Sequence, residues 1–261
     1  MMKMDSLFRK RIGITEEETI TFERLEEILR KTAQSLPFEN LAVIDRRASE
    51  ITEENLVNKI LLNQEGGLCY ELNPMLYFFL IENGFHAELV RGRVYDNDKQ
   101  AFQPLDRTHV TILVSHQQRM YLIDTGFGGN LPLKPVPLTG ETVKSANGEF
   151  RVKKIKSDHG NYMLEMKLKY RDTEWKIGYV FDSNKPVEDL SELNEIGELI
   201  MEQPQSPFNK SPLLSRFTES GRIVLTNSHL TRWVDGSMEK EVINQERFNE
   251  IVQKEFGINV I

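Results

Sequence analysis

The chain has 261 residues, 39% of them hydrophobic and 28% charged, with a net charge of −7 and a single cysteine. This is the composition of a soluble globular protein, and it excludes both a disulfide framework and a thiolate-rich metal site. The acidic balance argues against general binding to nucleic acid or anionic membranes, and no apolar run reaches the roughly 20 residues of a membrane-spanning helix.

Residues 1–85 read as helical. Met1-Met2-Lys3-Met4-Asp5 lacks the apolar core of a secretory signal, and one cysteine suits a reducing cytoplasm. Thr21 is placed to cap a helix with Phe22, Leu25, Ile28 and Leu29 on one face, which Pro37 stops. Thr52 is placed to cap a second helix carrying Leu56, Ile60 and Leu61. A third follows Gly66-Gly67, with Leu72, Leu76, Phe79 and Leu80 at helical spacing and Asn83-Gly84 as its stop. Amphipathic helices joined by short links predict a small bundle.

From His86 the period changes to that of strands. Leu89–Tyr95 alternates, and Thr108–Ser115 and Arg119–Asp124 form a hairpin pattern. Glu149–Lys156, Tyr162–Tyr170 and Glu174–Phe181 continue it, so 86–185 is expected to be an antiparallel sheet or barrel, with a Gly- and Pro-rich loop at Gly126–Pro137. Beyond Pro186, a helix with Leu190, Leu193, Ile196, Leu199 and Ile200 precedes a stretch broken by Pro204, Pro207 and Pro212. Short strands at Ile223–Leu225 and Leu230–Val234 and a helix from about Asn244 to Glu255 suggest a small α/β cap over 186–261.

The chemistry gathers around three residues. Cys69 falls in the first turn of the third helix, where the positive end of the helix dipole favours a thiolate. Read alone, the stretch leaves open a nucleophile or a small buried hydrophobe. His109 opens one hairpin strand and Asp124 closes the next. A symmetric loop centred between His116 and Gln117 sets them directly opposite on one face, with Cβ atoms about 4.5–5.5 Å apart. Asp124 also suits a turn at Thr125-Gly126. A cysteine, a histidine and an aspartate are the parts of an activated thiol nucleophile.

These residues carry a resemblance. Glu65-Gly66-Gly67-Leu68-Cys69-Tyr70-Glu71-Leu72-Asn73 resembles the Arg-Gly-Gly-x-Cys-x-Glu-x-Asn motif of the arylamine N-acetyltransferases. Pro37-Phe38-Glu39-Asn40-Leu41, the His109 strand and Asp124-Thr125-Gly126-Phe127-Gly128 match further motifs in order. The resemblance is close over about residues 20–140. It implies an α+β fold of N-terminal helical bundle (1–85), central antiparallel β-barrel (86–185) and C-terminal interdomain helix and α/β lid (186–261), with a cysteine-protease-like core. It implies Cys69 as nucleophile, His109 as base and Asp124 as the orienting group. Acetyl-CoA would be the donor, with Gly126, Phe127, Gly128 and Gly129 near it, an arylamine or aryl hydrazine the acceptor, with Phe38 and Phe127 in its pocket, and no metal is required. The expected reaction is a ping-pong transfer through an acetyl-Cys69 thioester in the cytoplasm, without nucleic-acid or membrane partners.

One position departs from the motif: Glu65 stands where the family has arginine. That arginine looks like a partner for the glutamate of Pro-Phe-Glu-Asn, so Glu39 and Glu65 are expected to face each other unless Arg46, Arg47 or Arg91 intervenes. Two rivals keep the same parts: a protease- or transglutaminase-like cysteine enzyme, and a non-catalytic binder of CoA or an aromatic ligand.

Overall fold

The computed structural model describes residues 3–259, so Met1 and Met2 of the signal-peptide reading lie outside the described residues. The chain opens with α1 (Met4–Ile12), which buries Met4, Phe8 and Ile12 and ends at Gly13 in the left-handed region. A 3-10 turn (Phe22–Arg24) leads into α2 (Leu25–Ser35). Thr21 makes no side-chain cap there, because this turn and not a full helix begins at Phe22. After β1 (Phe38–Glu39) and α3 (Leu41–Ile44), the Thr52 hydroxyl does cap α4 (Glu53–Leu56), accepting from the Asn55 N–H at 3.2 Å. α4 runs on into a π-helical turn, Val57–Leu62.

α5 (Cys69–Glu82) is the central helix. Tyr70, Leu72, Met75, Leu76, Phe79 and Leu80 are all buried, so it is apolar around most of its circumference, as a helix enclosed by neighbours must be. It stops at Asn83 and Gly84, the latter in the left-handed conformation that glycine tolerates.

The middle of the chain is one antiparallel sheet. Its strands are β2 (His86–Asp96), β3 (Ala101–Phe102), β4 (His109–His116), β5 (Arg119–Ile123), β6 (Val136–Pro137), β7 (Val143–Ser145), β8 (Gly148–Ser157), β9 (Gly160–Leu168) and β10 (Lys176–Pro186). They run in the order β6-β5-β4-β2-β10-β9-β8-β7, with β3 beside β2, and β6 returns against β8 to nearly close a barrel. β4 is buried on both faces. Val110, Ile112 and Val114 pack with α5, while Leu113 packs with Leu122, Phe150 and Tyr179 inside the barrel. By alternation, His109 and Asp124 share the interior side with Leu113 and Leu122.

The β4–β5 register differs from the expected one. Ile112 faces Ile123 and His116 faces Arg119, so the turn is centred between Gln117 and Gln118. Both glutamines have positive φ (47° and 62°), as a tight two-residue hairpin turn demands. Asp124 is therefore aligned beside Thr111 rather than opposite His109. The shift is two residues, which preserves the face, and the pair meets diagonally.

Beyond α6 (Ser191–Glu202) and a 3-10 turn (Pro207–Asn209) come β11 (Leu213–Phe217), β12 (Gly221–Thr226), β13 (His229–Val234), β14 (Ser237–Val242) and α7 (Gln245–Phe256). This second sheet is ordered β1-β11-β12-β13-β14, so Phe38 and Glu39 from the N-terminal part form its edge. α7, capped by the Asn244 side chain, covers it with Phe248, Ile251, Val252 and Phe256.

Candidate active site

The start of α5 is pressed against two other segments. Gly67 N–H donates to the Pro37 carbonyl (3.2 Å) and Glu39 N–H to the Gly67 carbonyl (3.0 Å), laying the glycine pair along β1. A Cβ at Gly66 would sit 2.0 Å from the Pro37 carbonyl oxygen, so glycine is required. On the other side the loop after β5 crosses the helix end so closely that a Cβ at Gly126 would lie 2.5 Å from Cys69 Cα. Cys69 is thus the first residue of a helix clamped on both sides, 7% exposed, with its thiol 3.4 Å from the Thr108 carbonyl.

His109 and Asp124 are brought to it. His109 Nε2 lies 2.7 Å from Asp124 Oδ2, which leaves Nδ1 for the Cys69 thiol that the ring also meets. Asp124 accepts on both oxygens. Tyr179 hydroxyl donates to Oδ2 at 2.8 Å, while Asn73 Nδ2 (3.0 Å) and Gly126 N–H (2.8 Å) donate to Oδ1. Asn73 also donates to the Val110 carbonyl and accepts from the Thr125 N–H, tying α5, β4 and the loop together. Burial pushes the His109 imidazolium down. The Asp124 charge, the bond to Asp124 and the contact with Cys69 outweigh it and lift His109 to about 10. Burial, then the Asp124 charge, raises the Tyr179 phenol well above its ordinary value, so it remains a donor.

Cys69 and His109 open into a cavity of about 990 Å³. Gly126, Phe127, Gly128, Gly129 and Phe38 line the same cavity; Asp124 lies behind His109 and does not. The Phe127 ring is 5.0 Å from both His109 and Tyr179, and Phe38 meets Phe208 edge-on at 5.7 Å. Tyr179 and Phe208 were not singled out by sequence reasoning. Tyr179 sits in an apolar strand that reaches Asp124 through the successive β10–β2, β2–β4 and β4–β5 pairings, long-range contacts without a local signal. Asn73 had one: it lies four residues after Cys69, on the same helix face.

Glu39 and Glu65 do not stand alone. Lys59 supplies the cation, its ammonium in contact with Glu71 and 3.9 Å from Glu39. Arg46 pairs with Glu202, Arg47 with Asp45 and Glu65, and Arg91 with Glu192 and Glu195. Among the described residues no cluster of histidine, cysteine and carboxylates could hold a metal, and no helix is long and apolar enough to cross a membrane.

The family model described as N-acetyltransferase matches residues 21–261. The uncharacterized acetyltransferase YvcN of Bacillus subtilis is 40% identical, over 98% of this chain and 100% of its own length. The arylamine N-acetyltransferase NAT3 of Bacillus cereus, whose crystal structure is described as revealing a unique Cys-His-Glu catalytic triad, superposes with a TM-score of 0.94 at 40% identity, covering 100% of both chains. The Mycobacterium marinum arylamine N-acetyltransferase in complex with CoA superposes with a TM-score of 0.83 at 25% identity, covering 97% of this chain and 92% of that one. In this chain the acid that meets the histidine is Asp124.

Proposed function

The chain belongs to the arylamine N-acetyltransferase family, and on that premise we propose that it transfers the acetyl group of acetyl-CoA to arylamines and aryl hydrazines through a thioester on Cys69. One observation carries the reading. His109 meets both Asp124, through Nε2, and Cys69, a cysteine at a helix start, at the wall of a cavity bordered by a glycine-rich loop.

With His109 protonated, an imidazolium faces the sulfur and favours attack by the thiolate. Sγ adds to the carbonyl carbon of acetyl-CoA. The resulting oxyanion lies near the N–H of Cys69, which has no acceptor within its own helix. Collapse breaks the bond to the CoA sulfur, and His109 gives its proton to that leaving group. CoA departs as a thiol and Cys69 is left acetylated. An aromatic amine then attacks the thioester, His109 takes its proton, and the Cys69 sulfur leaves to restore the starting state. An arylamine suits this step because it is largely unprotonated near neutral pH. Asp124 keeps the ring in one tautomer, the role its four hydrogen bonds prepare it for.

Gly126–Gly129 border the donor's path, since backbone N–H groups of such a loop bind anions without a lysine. Phe38 and Phe127 supply flat apolar walls for the acceptor ring. We read the chain as a nucleophile-bearing part (1–85), a part bearing His109 and Asp124 (86–185) and a covering part (186–261), working in the cytoplasm. The lone cysteine supports that compartment.

Steady-state kinetics test the proposal. A covalent acetyl-enzyme requires CoA to leave before the amine reacts, so double-reciprocal plots at several amine concentrations are expected to be parallel. Intersecting lines would favour direct transfer in a ternary complex.

A further inference from the structure

Lys59 lies in the π-helical turn Val57–Leu62, outside the catalytic constellation and only 12% exposed at its side chain. Its ammonium faces two buried carboxylates, and each of those holds a piece of backbone at the site. Glu71 contacts the ammonium through Oε1 and accepts the Leu68 N–H on Oε2 at 3.0 Å, one residue before Cys69. Glu39 lies 3.9 Å from the ammonium through Oε1 and accepts the Leu41 N–H on Oε2 at 2.6 Å. Its backbone is hydrogen-bonded along Gly67. Glu39 Oε1 is buried and has no hydrogen-bond partner among the described residues, so the ammonium is its neutralising contact. Of the arginines nearby, Arg46 pairs with Glu202 and Arg47 with Asp45 and with Glu65, a third acid close enough to influence both Glu39 and Lys59.

We propose that Lys59 is a positioning residue for Cys69: one ammonium joins the acid at the start of the cysteine helix to the acid on the strand that clamps the glycine pair, and so sets where the sulfur points. This rests on Cys69 being the nucleophile. A buried carboxylate pair stripped of its cation is strongly disfavoured, so without Lys59 the segments separate or one acid takes up a proton. A small misplacement of a nucleophile costs on the order of 10- to 100-fold in rate.

The test compares wild type, Lys59→Met, Glu65→Arg and Lys59→Met/Glu65→Arg as folded proteins. It reads kcat/KM for acetyl-CoA and, independently of any acetyl donor, the rate at which iodoacetamide labels Cys69. Lys59→Met is expected to lower both by about tenfold or more. Glu65→Arg replaces an acid whose charge reaches Glu39 and Lys59 with a cation, so the double variant is expected to regain most of the loss. Simple loss of packing would not be repaired that way. Lys59→Met within twofold of wild type in both readouts would overturn the proposal, as would a double variant no better than Lys59→Met. Should Lys59→Met not fold, the double variant is compared with Glu65→Arg. Rates within about threefold support the proposal, and a larger loss or failure to fold overturns it. A wild type that labels readily but never acetylates Cys69 would instead sink the acetyl-transfer reading and leave the Lys59 comparison standing.

Discussion

Asp124 accepts four hydrogen bonds, two on each oxygen, and only one of the donors is His109. Asp124→Asn therefore keeps a side chain of the same shape but offers an amide where Tyr179 and His109 need an acceptor. We predict a folded variant whose turnover falls by roughly 10³-fold or more, since the ring loses its tautomer and its counter-charge. Near-normal turnover would contradict the role given to Asp124. The same pair makes stability depend on pH. In the native protein His109 is lifted to about 10, against an ordinary value of 6.5. Its proton thus stabilises the fold fully below pH 6.5, and that stabilisation is lost as pH rises through 10. Melting temperatures measured between pH 7 and 10 should fall more steeply for wild type than for Asp124→Asn, which lacks the main charge raising His109. Parallel curves would mean that the histidine is not held this way.

At the scale of elements, the β4–β5 turn and the π-helical turn decide what reaches the site. Gln117 and Gln118 both adopt left-handed backbone, which asparagine and glycine adopt at lower cost. Gln117→Asn/Gln118→Gly should add about 1 kcal/mol of stability and leave turnover unchanged, because the turn lies at the far end of β4, about 25 Å along the strand from His109. A destabilised variant would show that the glutamines make the turn for another reason. Glu65 gives a second check. It raises Glu39 further after burial has done so, while its own pair with Arg47 is long (3.7 Å) and made to an arginine that keeps 44% of its side chain in solvent. Glu65→Arg alone should therefore raise the melting temperature, by about 2–4 °C for each kcal/mol gained in a chain of this size. A clear fall would mean that the Arg47 pair matters more than the relief of Glu39. α5 was legible as a long apolar stretch between Gly66-Gly67 and the Asn83-Gly84 stop, although it is enclosed on most sides. Most barrel strands were legible by alternation, because a strand with one buried face writes its period into the chain. Alternation did not disclose the turn register, since two glutamines carry no turn signature. Nor did it disclose β14, whose residues are exposed along the whole strand.

Across the whole molecule, the cavity forms where β1, the start of α5, the barrel end carrying His109 and the segment around Phe208 converge. The motif residues in and behind that cavity were legible because each sits in a local pattern: Gly-Gly before a helix, a histidine opening a strand, and, behind it, an aspartate before a glycine-rich loop. Tyr179 and Lys59 were not, because their roles exist only after distant strands pair and buried charges are brought together. The edge pairing of Phe38 and Glu39 with Leu214 and Ser215 is equally invisible in a two-residue strand. The chain's single cysteine makes the central claim directly measurable. Intact-protein mass spectrometry after incubation with acetyl-CoA alone should show one added acetyl group. Peptide mapping should place it on Cys69, and an arylamine added next should remove it as the N-acetylated amine. No acetyl group on the folded protein, or an acetyl group on another residue while turnover proceeds, would contradict the account.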